Sequence, residues 1–513
     1  MPQFLLAAEA DQIQDFVFRA SHLREVVGGS QLLARFNRQV PAGLLNLDLK
    51  DPRLVVSDGG GFRILFDDAG AAQAFGAQLA QVYRAGLDGS LTVIDEPIRI
   101  DEAIEENFAT ANQQADQALR QAKRRRQVNV ALVQSPWLAF CASCGISVAR
   151  DHAKRAPIEE RGQYLCYACQ AKAIERRKYR VGEFLIPFLE QFGNPDKLEW
   201  PGNRGDTSDP TGEIADTRGY VAYLLADVNN MGAIVGKCSR AQMHRLSREM
   251  SRVLRAALAV PTRKLMQANF VRTLPLILGG DDVFALIPAK YALDFAREFC
   301  IAFEDEMKKA LAHISLSVVP PTIGAALVIC KQNYPFGLAH QLGEELLAQT
   351  KRLAKAEGRS AVNFQVVRGS QIGGEAESGK YHPTMRPYWI GADVAANGWQ
   401  VDRLLTQRHA LDGLPGKRQE ELRALFDDYR DLHKNTERDE WVARLERLLI
   451  RIARDGEMGK AITRALHELG STEKARGYWY SVDRVHDKDK WWGHGLPDLL
   501  DVWNYTHTLG QEA

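Results

Sequence analysis

Residues 274–287 are two apolar runs joined by Gly279-Gly280-Asp281-Asp282. The pattern predicts a β-hairpin: the apolar runs pair as strands, glycine supplies positive φ at the tip, and two adjacent carboxylates are left exposed there. Taken alone, such a tip also closes many hairpins that do no chemistry. A second stretch changes the balance. Residues 221–232 read as a buried strand ending in Asp227, followed by a tight loop through Asn229, Asn230 and Met231 that opens a helix. In a βαββ arrangement the end of the first strand lies beside the tip of the following hairpin, so Asp227 is expected to face Asp281 and Asp282 across one small site.

Three converging carboxylates repel unless a cation sits among them, and an all-oxygen donor set suits Mg²⁺ or Mn²⁺. Two such ions about 4 Å apart activate an attacking hydroxyl and stabilise a leaving pyrophosphate. The chemistry expected of this constellation is nucleotidyl transfer.

The Gly-Gly-Asp-Asp hairpin, the Asp227-x-x-Asn230-Met231-Gly232 strand end and the helical run 346–351 ending in Lys351 resemble the palm domain of GGDEF-type cyclases and of the large subunit of type III CRISPR effector complexes. The second is closer, because the chain also carries two Cys-x-x-Cys motifs and another palm-like segment. The resemblance implies polymerisation of ATP, with ring closure, into cyclic oligoadenylate. It places Asp227, Asp281 and Asp282 on two divalent metals, Gly279, Gly280 and Asn230 at the nucleotide, and Lys351 at the triphosphate. One departure stands out: the family's Asp-x-Asp-Asn is here Asp227-Val228-Asn229-Asn230, one carboxylate fewer. The family's HD nuclease would precede the first palm. Here palm-like sequence begins at Phe4, and Asp151-His152 and His486-Asp487 are isolated, so no DNA cleavage is expected.

Residues 1–134 repeat the same order of elements. A strand at 4–8 is followed by a helix starting near Asp11, with Ile13, Phe16 and Val17 on one side. Gly28-Gly29-Ser30 reads as a turn that breaks and restarts that helix, with a helix-entry anion site as the rarer alternative. Residues 54–66 then form a strand-turn-strand with glycines where the other hairpin has aspartates. A helix with Phe75, Leu79 and Val82 inward, a strand near 91–94, the helix 115–123 and the run 128–133 match their counterparts up to 361–366. The expected fold is α/β (α+β), with two ferredoxin-like palms, the first stripped of metal ligands. The domain plan is a degenerate palm at 1–134, a zinc-ribbon-like module at 135–200, the Gly-Gly-Asp-Asp palm at 219–368 and a helical domain at 369–513.

Between the palms, Cys141 and Cys144 are followed by Cys166 and Cys169. Two such knuckles can close a tetrahedral thiolate site around Zn²⁺ with no open position, which is a structural zinc; a redox dithiol is the alternative. Cys238, Cys300 and Cys330 fall on apolar faces and read as buried thiols. An odd total of seven cysteines also argues against a disulfide framework.

A net charge of +1 gives no global signal for nucleic acid. Local basic runs, Lys123 to Arg126 and Arg176-Arg177-Lys178 with Arg180, suit RNA phosphates or simply solvated helix ends. Residues 201–217 form a polar boundary loop, and 373–379 a second loop. Ala292, Phe295, Phe299, Phe303 and Met307 make a core stripe. The amphipathic segments 419–432, 441–452 and 458–469, with Trp479, Trp491, Trp492 and Trp503 beyond them, make a helical end. In the family such an end, led by a segment like Arg386-Pro387-Tyr388, meets small subunits. No apolar run reaches the roughly 20 residues needed to span a bilayer, and the start lacks a secretory signal, so a cytoplasmic setting is expected. Two other readings stay open: a scaffold subunit with a relict Gly-Gly-Asp-Asp tip, and a stand-alone defence cyclase that needs no guide RNA.

Overall fold

The fold is taken from a computed structural model, which describes residues 2–20, 23–101, 103–125, 138–153, 162–177, 185–202, 210–368, 384–391, 400–429, 435–453, 456–470, 480–482 and 491–510. The strand expected at 128–133, the loop at 373–379, Arg126, Lys178, Arg180, Trp479 and His486 lie outside the described residues. So do the side chains of His152, Arg176, Arg177, Trp491 and Trp492. The chain divides into two compact units. One comprises Met1–Ile214, Asn230–Leu286 and Ala302–Pro321, and the other Ala215–Asn229, Ile287–Ile301 and Thr322–Ala513.

The first unit is built on an antiparallel sheet around the strand Gln3–Asp11. On one side it pairs with Gly61–Phe66, in register Leu6 with Ile64. On the other it pairs with Ser90–Val93 and Ile98–Ile100. The helix Ala69–Leu87 starts where Asp68 accepts the Ala71 N–H at 2.7 Å, a side-chain cap that satisfies one orphan donor of the first turn. It buries Phe75, Leu79 and Tyr83, while Val82 is only half-buried. The helix Ile104–Arg125 buries Phe108, Ala111, Ala115, Leu119 and Ala122 at three-four spacing. Later in the chain, Ser239 and Gln242 form a reciprocal capping box that opens the helix Arg240–Leu265. The hairpin Leu274–Gly279 and Asp282–Pro288 follows, with Asp282 opposite Gly279 and a two-residue tip in which Gly280 takes φ +62°.

Two details differ from the sequence reading. The first strand runs on to Asp11 and the helix begins only at Ile13. Gly28-Gly29-Ser30 is no turn and no anion site, since a single helix, Leu23–Leu45, passes through it. Gly29 is there for close packing: a Cβ would come within 3.2 Å of Cε of Lys172, which lies against it.

In the second unit the strand Tyr220–Val228 pairs antiparallel with Ile323–Lys331, Asp227 facing Gly324. Ile323–Lys331 pairs in parallel with Ala361–Val366, and the helix Phe336–Glu357 makes the crossover that parallel strands require. Helix and sheet meet closely at Gly343, where a Cβ would lie 2.3 Å from Leu225 Cδ1. Tyr388–Trp389 adds an edge strand. The helical end contains Val401–Ala410, Gly416–Tyr429, Asn435–Ala453, Glu457–Glu468 and Gly495–Val502. Its core holds Trp441, Leu445 and Leu448, and the buried Asp498 accepts from Tyr388 OH at 2.6 Å and Met385 N at 2.7 Å. Trp503 is buried, with the Arg408 guanidinium 4.3 Å from its ring centroid. The α/β class read from the sequence holds. The stripe from Ala292 to Met307 and the three cysteines Cys238, Cys300 and Cys330 are buried as expected. Among the described residues no helix is long and apolar enough to cross a membrane.

Candidate active site and metal centre

The strand Tyr220–Val228 is buried on both faces except at its ends, and Asp227 is the half-exposed residue just before its last position. A carboxylate so placed needs a cation or water. It has the former: Lys351 Nζ donates to Asp227 Oδ2. Lys351 reaches it from the crossover helix because the strand opposite carries Gly324, where a Cβ would touch Lys351 Cγ at 3.4 Å. One residue earlier, Thr350 is buried and donates to the Leu346 carbonyl at 2.8 Å and to that of Ala325 at 3.3 Å, fixing the helix on the sheet.

Asn229 follows the strand. Its N–H donates to the Thr322 carbonyl at 2.7 Å and its Nδ2 to Thr322 Oγ1 at 3.1 Å, while its Oδ1 is buried with no hydrogen-bond partner. Two residues from the Asp227 carboxylate there is thus an amide oxygen with its acceptor capacity unspent. An oxygen donor set of this kind fits a hard divalent cation. Asn230, at φ +62°, precedes the five-residue helix Met231–Val235 and makes no side-chain cap.

In the first unit, Asp281 at the hairpin tip is exposed and Asp282 half-buried, beside Gly279 and Gly280. The tip between the strands Leu54–Asp58 and Gly61–Phe66 comes close to this one. A Cβ on Gly59 would lie 3.0 Å from Gly280 Cα, and one on Gly279 would lie 3.8 Å from Asp58 Oδ1. Asp58 is held by the Gly59 N–H at 2.9 Å and by the Ser251 hydroxyl at 2.7 Å. Sequence reasoning passed over Asp58 and Ser251. The matching glycine tips were the available signal for the first, while Ser251 is a buried serine on an amphipathic helix and gave none.

The four cysteines converge. Their sulfurs lie within 4.8 Å of one another, with Cys144 and Cys166 Sγ 3.9 Å apart. A Zn²⁺ tetrahedron with Zn–S of about 2.3 Å has edges of about 3.8 Å, so the group fits. The knuckle geometry is present as well: Gly145 N donates to the Cys141 carbonyl at 2.9 Å, and Cys169 N points at Cys166 Sγ at 3.4 Å. Sulfur–sulfur hydrogen bonding pushes the Cys144 thiol down, chiefly through Cys166, and pushes Cys166 and Cys169 up, chiefly through Cys144. Convergence of all four sulfurs suits a closed metal site better than a single redox dithiol.

Comparison with known proteins places a family match on one part of the chain. Residues 220–362 match the model of the Cas10/Cmr2 second palm domain. No curated protein matches. Similar solved structures include the Csm1-Csm4 cassette in complex with cA4, at 16% identity and TM-score 0.43 over 71% of this chain and 54% of the matched one. The same cassette in complex with cA3 matches at 15% identity and TM-score 0.44, over 72% and 55%. The Csm1-Csm4 subcomplex in the type III-A CRISPR-Csm interference complex matches at 17% identity and TM-score 0.43, over 70% and 54%. The chain therefore spans about half the length of these matched chains. The family match bears out, for one segment, the resemblance seen in the sequence: residues 220–362 are similar to the Cas10/Cmr2 second palm domain.

Proposed function

We propose that the chain is a metal-dependent nucleotidyltransferase that makes cyclic oligoadenylate, or a related cyclic nucleotide second messenger, from ATP. It would act in the cytoplasm in antiviral defence, as the large subunit of a type III CRISPR effector. The domain plan is that of the sequence: a degenerate palm at 1–134, a zinc module at 135–200, the catalytic palm at 219–368 and a helical domain at 369–513 that meets small subunits. Guide and target RNA would be reached through other subunits.

The observation that carries this reading is the ion pair between Lys351 and Asp227, inside the segment that matches the Cas10/Cmr2 second palm domain. A cation already sits on the strand-end carboxylate, so the position is one where positive charge is favourable. In the proposed site Asp227, Asp281 and Asp282 hold two Mg²⁺ or Mn²⁺ ions. Those ions, when bound, lower the barrier to attack by a 3′-hydroxyl on an α-phosphorus and stabilise the departing pyrophosphate. Lys351, released from Asp227, meets the triphosphate as a compact, strongly hydrated cation. Gly279 and Gly280, having no side chains, let the nucleotide approach the tip, and Asn230 lines the loop beyond Asp227.

A second reading draws on Asn229. Its amide nitrogen donates to Thr322 and the side chain brings no charge, so the site has one carboxylate fewer than the family pattern, as a scaffold subunit with a relict site would. Incubation of the purified chain with Mg²⁺ or Mn²⁺ and labelled ATP, with and without RNA, separates the readings. RNA-stimulated cyclic product supports the effector subunit, and product independent of RNA supports a stand-alone cyclase. Absence of both product and Mg²⁺-dependent ATP binding supports the scaffold.

A further inference from the structure

Lys172 is an anomaly in the zinc module. It lies on the helix Tyr167–Arg177, one turn beyond Cys169, and its side chain is 1% exposed. The stem runs over Gly29 of the helix Leu23–Leu45. The ammonium donates to the Phe16 carbonyl and, at 3.4 Å, to the Arg19 carbonyl, and stands 4.4 Å from the centroid of the Phe16 ring. These are partial charges. Among the described residues no carboxylate makes an ion pair with it. Glu25, buried on the same long helix, instead accepts from Ser143 Oγ at 2.5 Å. A buried full charge is strongly unfavourable unless negative charge offsets it.

We infer that Lys172 is the counter-charge of the metal-loaded four-cysteine centre, and that it ties metal occupancy to the order of the helix Ile13–Phe18 in the first palm. Four thiolates around Zn²⁺ carry a net charge of −2, which adds to the Glu25 carboxylate as negative charge acting on Lys172. Sulfur and ammonium share an acceptor, since the Arg19 carbonyl that Lys172 reaches is 3.9 Å from Cys169 Sγ. Burial pushes the Lys172 ammonium down, and the Cys169 sulfur, followed by the Glu25 carboxylate, pushes it back up. Arg19 ends the helix Ile13–Phe18, so Lys172 clamps that helix end to the metal module. Two further straps join the same elements: Ser143, between the first two cysteines, to Glu25, and Arg35 to Glu175 at 2.9 Å. With the metal gone, the charge of the loaded centre goes with it and the clamp on Ile13–Phe18 loosens.

The inference rests on the four cysteines binding zinc and is independent of the nucleotide chemistry. The test uses the full chain, zinc competition against a chromophoric chelator, and amide hydrogen exchange with and without chelation. Zinc removal from the wild type should speed exchange in Ile13–Phe18 and the first turns of Leu23–Leu45, while Tyr220–Val228 keeps its protection. Lys172→Met, which preserves the stem, should lower zinc affinity on the order of 10- to 100-fold, as loss of an outer-shell partner does. Unchanged zinc affinity in Lys172→Met, or unchanged exchange at Ile13–Phe18 in the chelated wild type, overturns the inference. A wild-type chain that takes up no zinc overturns the metal reading with it. If Lys172→Met does not fold, the wild-type exchange experiment decides alone.

Discussion

In the nucleotide-free protein Lys351 competes with any divalent ion for Asp227, so Lys351→Met should tighten metal binding while it weakens ATP binding. The two side chains are 28% and 19% exposed, which puts the pair between a surface ion pair, worth up to about 1 kcal/mol, and a buried one, worth about 3–5 kcal/mol when a partner is removed. Taking about 1–2 kcal/mol for the Lys351–Asp227 interaction, its removal as a competitor should raise Mn²⁺ affinity by about 5- to 30-fold, since about 1.4 kcal/mol is tenfold. ATP loses a charge-assisted partner and should bind about tenfold more weakly at saturating metal. Mn²⁺ titration followed by electron paramagnetic resonance, and calorimetric ATP titration, read the two effects separately. The gain in Mn²⁺ affinity should vanish in the Asp227→Asn background, where the carboxylate itself is gone. Mn²⁺ affinity that is unchanged or weaker in Lys351→Met refutes the competition, whatever happens to ATP.

Two further tests concern the fold. Gly59→Ala puts a methyl 3.0 Å from Gly280 Cα at φ +58°, where backbone must move; we expect a loss of about 1–3 kcal/mol, visible as a lower melting temperature. Gly86→Ala, in the helix Ala69–Leu87 with nothing within 4 Å of the new Cβ, should instead stabilise by about 0.5–1 kcal/mol. Burial pushes His494 down to about 3 and His340 down to about 4, so the unfolded chain binds more protons between those values and about 6.5. Their contribution to stability is present above about pH 6.5 and is lost as the pH falls. Asp498 works in the opposite sense: burial raises it to about 6, so its contribution is present at low pH and is lost as the pH rises through that value. In urea unfolding followed by tryptophan fluorescence, His494→Asn should lose less stability than the wild type between pH 7 and pH 4. An equal or steeper loss would count against the assignment.

The legible parts of the fold were those written in local patterns. The two hairpins, the buried strand ending in Asp227 and the stripe from Ala292 to Met307 follow from alternation, glycine placement and three-four spacing, which act over a few residues. The four-cysteine cluster was legible because ligand spacing is itself a local constraint. Gly28-Gly29-Ser30 misled because two glycines and a serine are poor helix formers, and only the distant Lys172 stem explains why the helix continues there. Asp58 and Ser251 escaped for the same reason, being separated by most of the first unit in sequence and joined only by packing. Lys351 was named from the family resemblance, yet its partner Asp227 depends on Gly324, a glycine whose meaning appears only when helix and strand are brought together.

The central claim is that the aspartates of this palm convert ATP. The direct measurement is product analysis of labelled ATP incubated with Mg²⁺ or Mn²⁺, in the presence of RNA, comparing the wild-type chain with the double variant Asp281→Ala, Asp282→Ala. The account predicts pyrophosphate release and a cyclic oligonucleotide from the wild type and neither from the variant. Equal product from both, or a wild type that binds ATP with metal but never converts it, would contradict it.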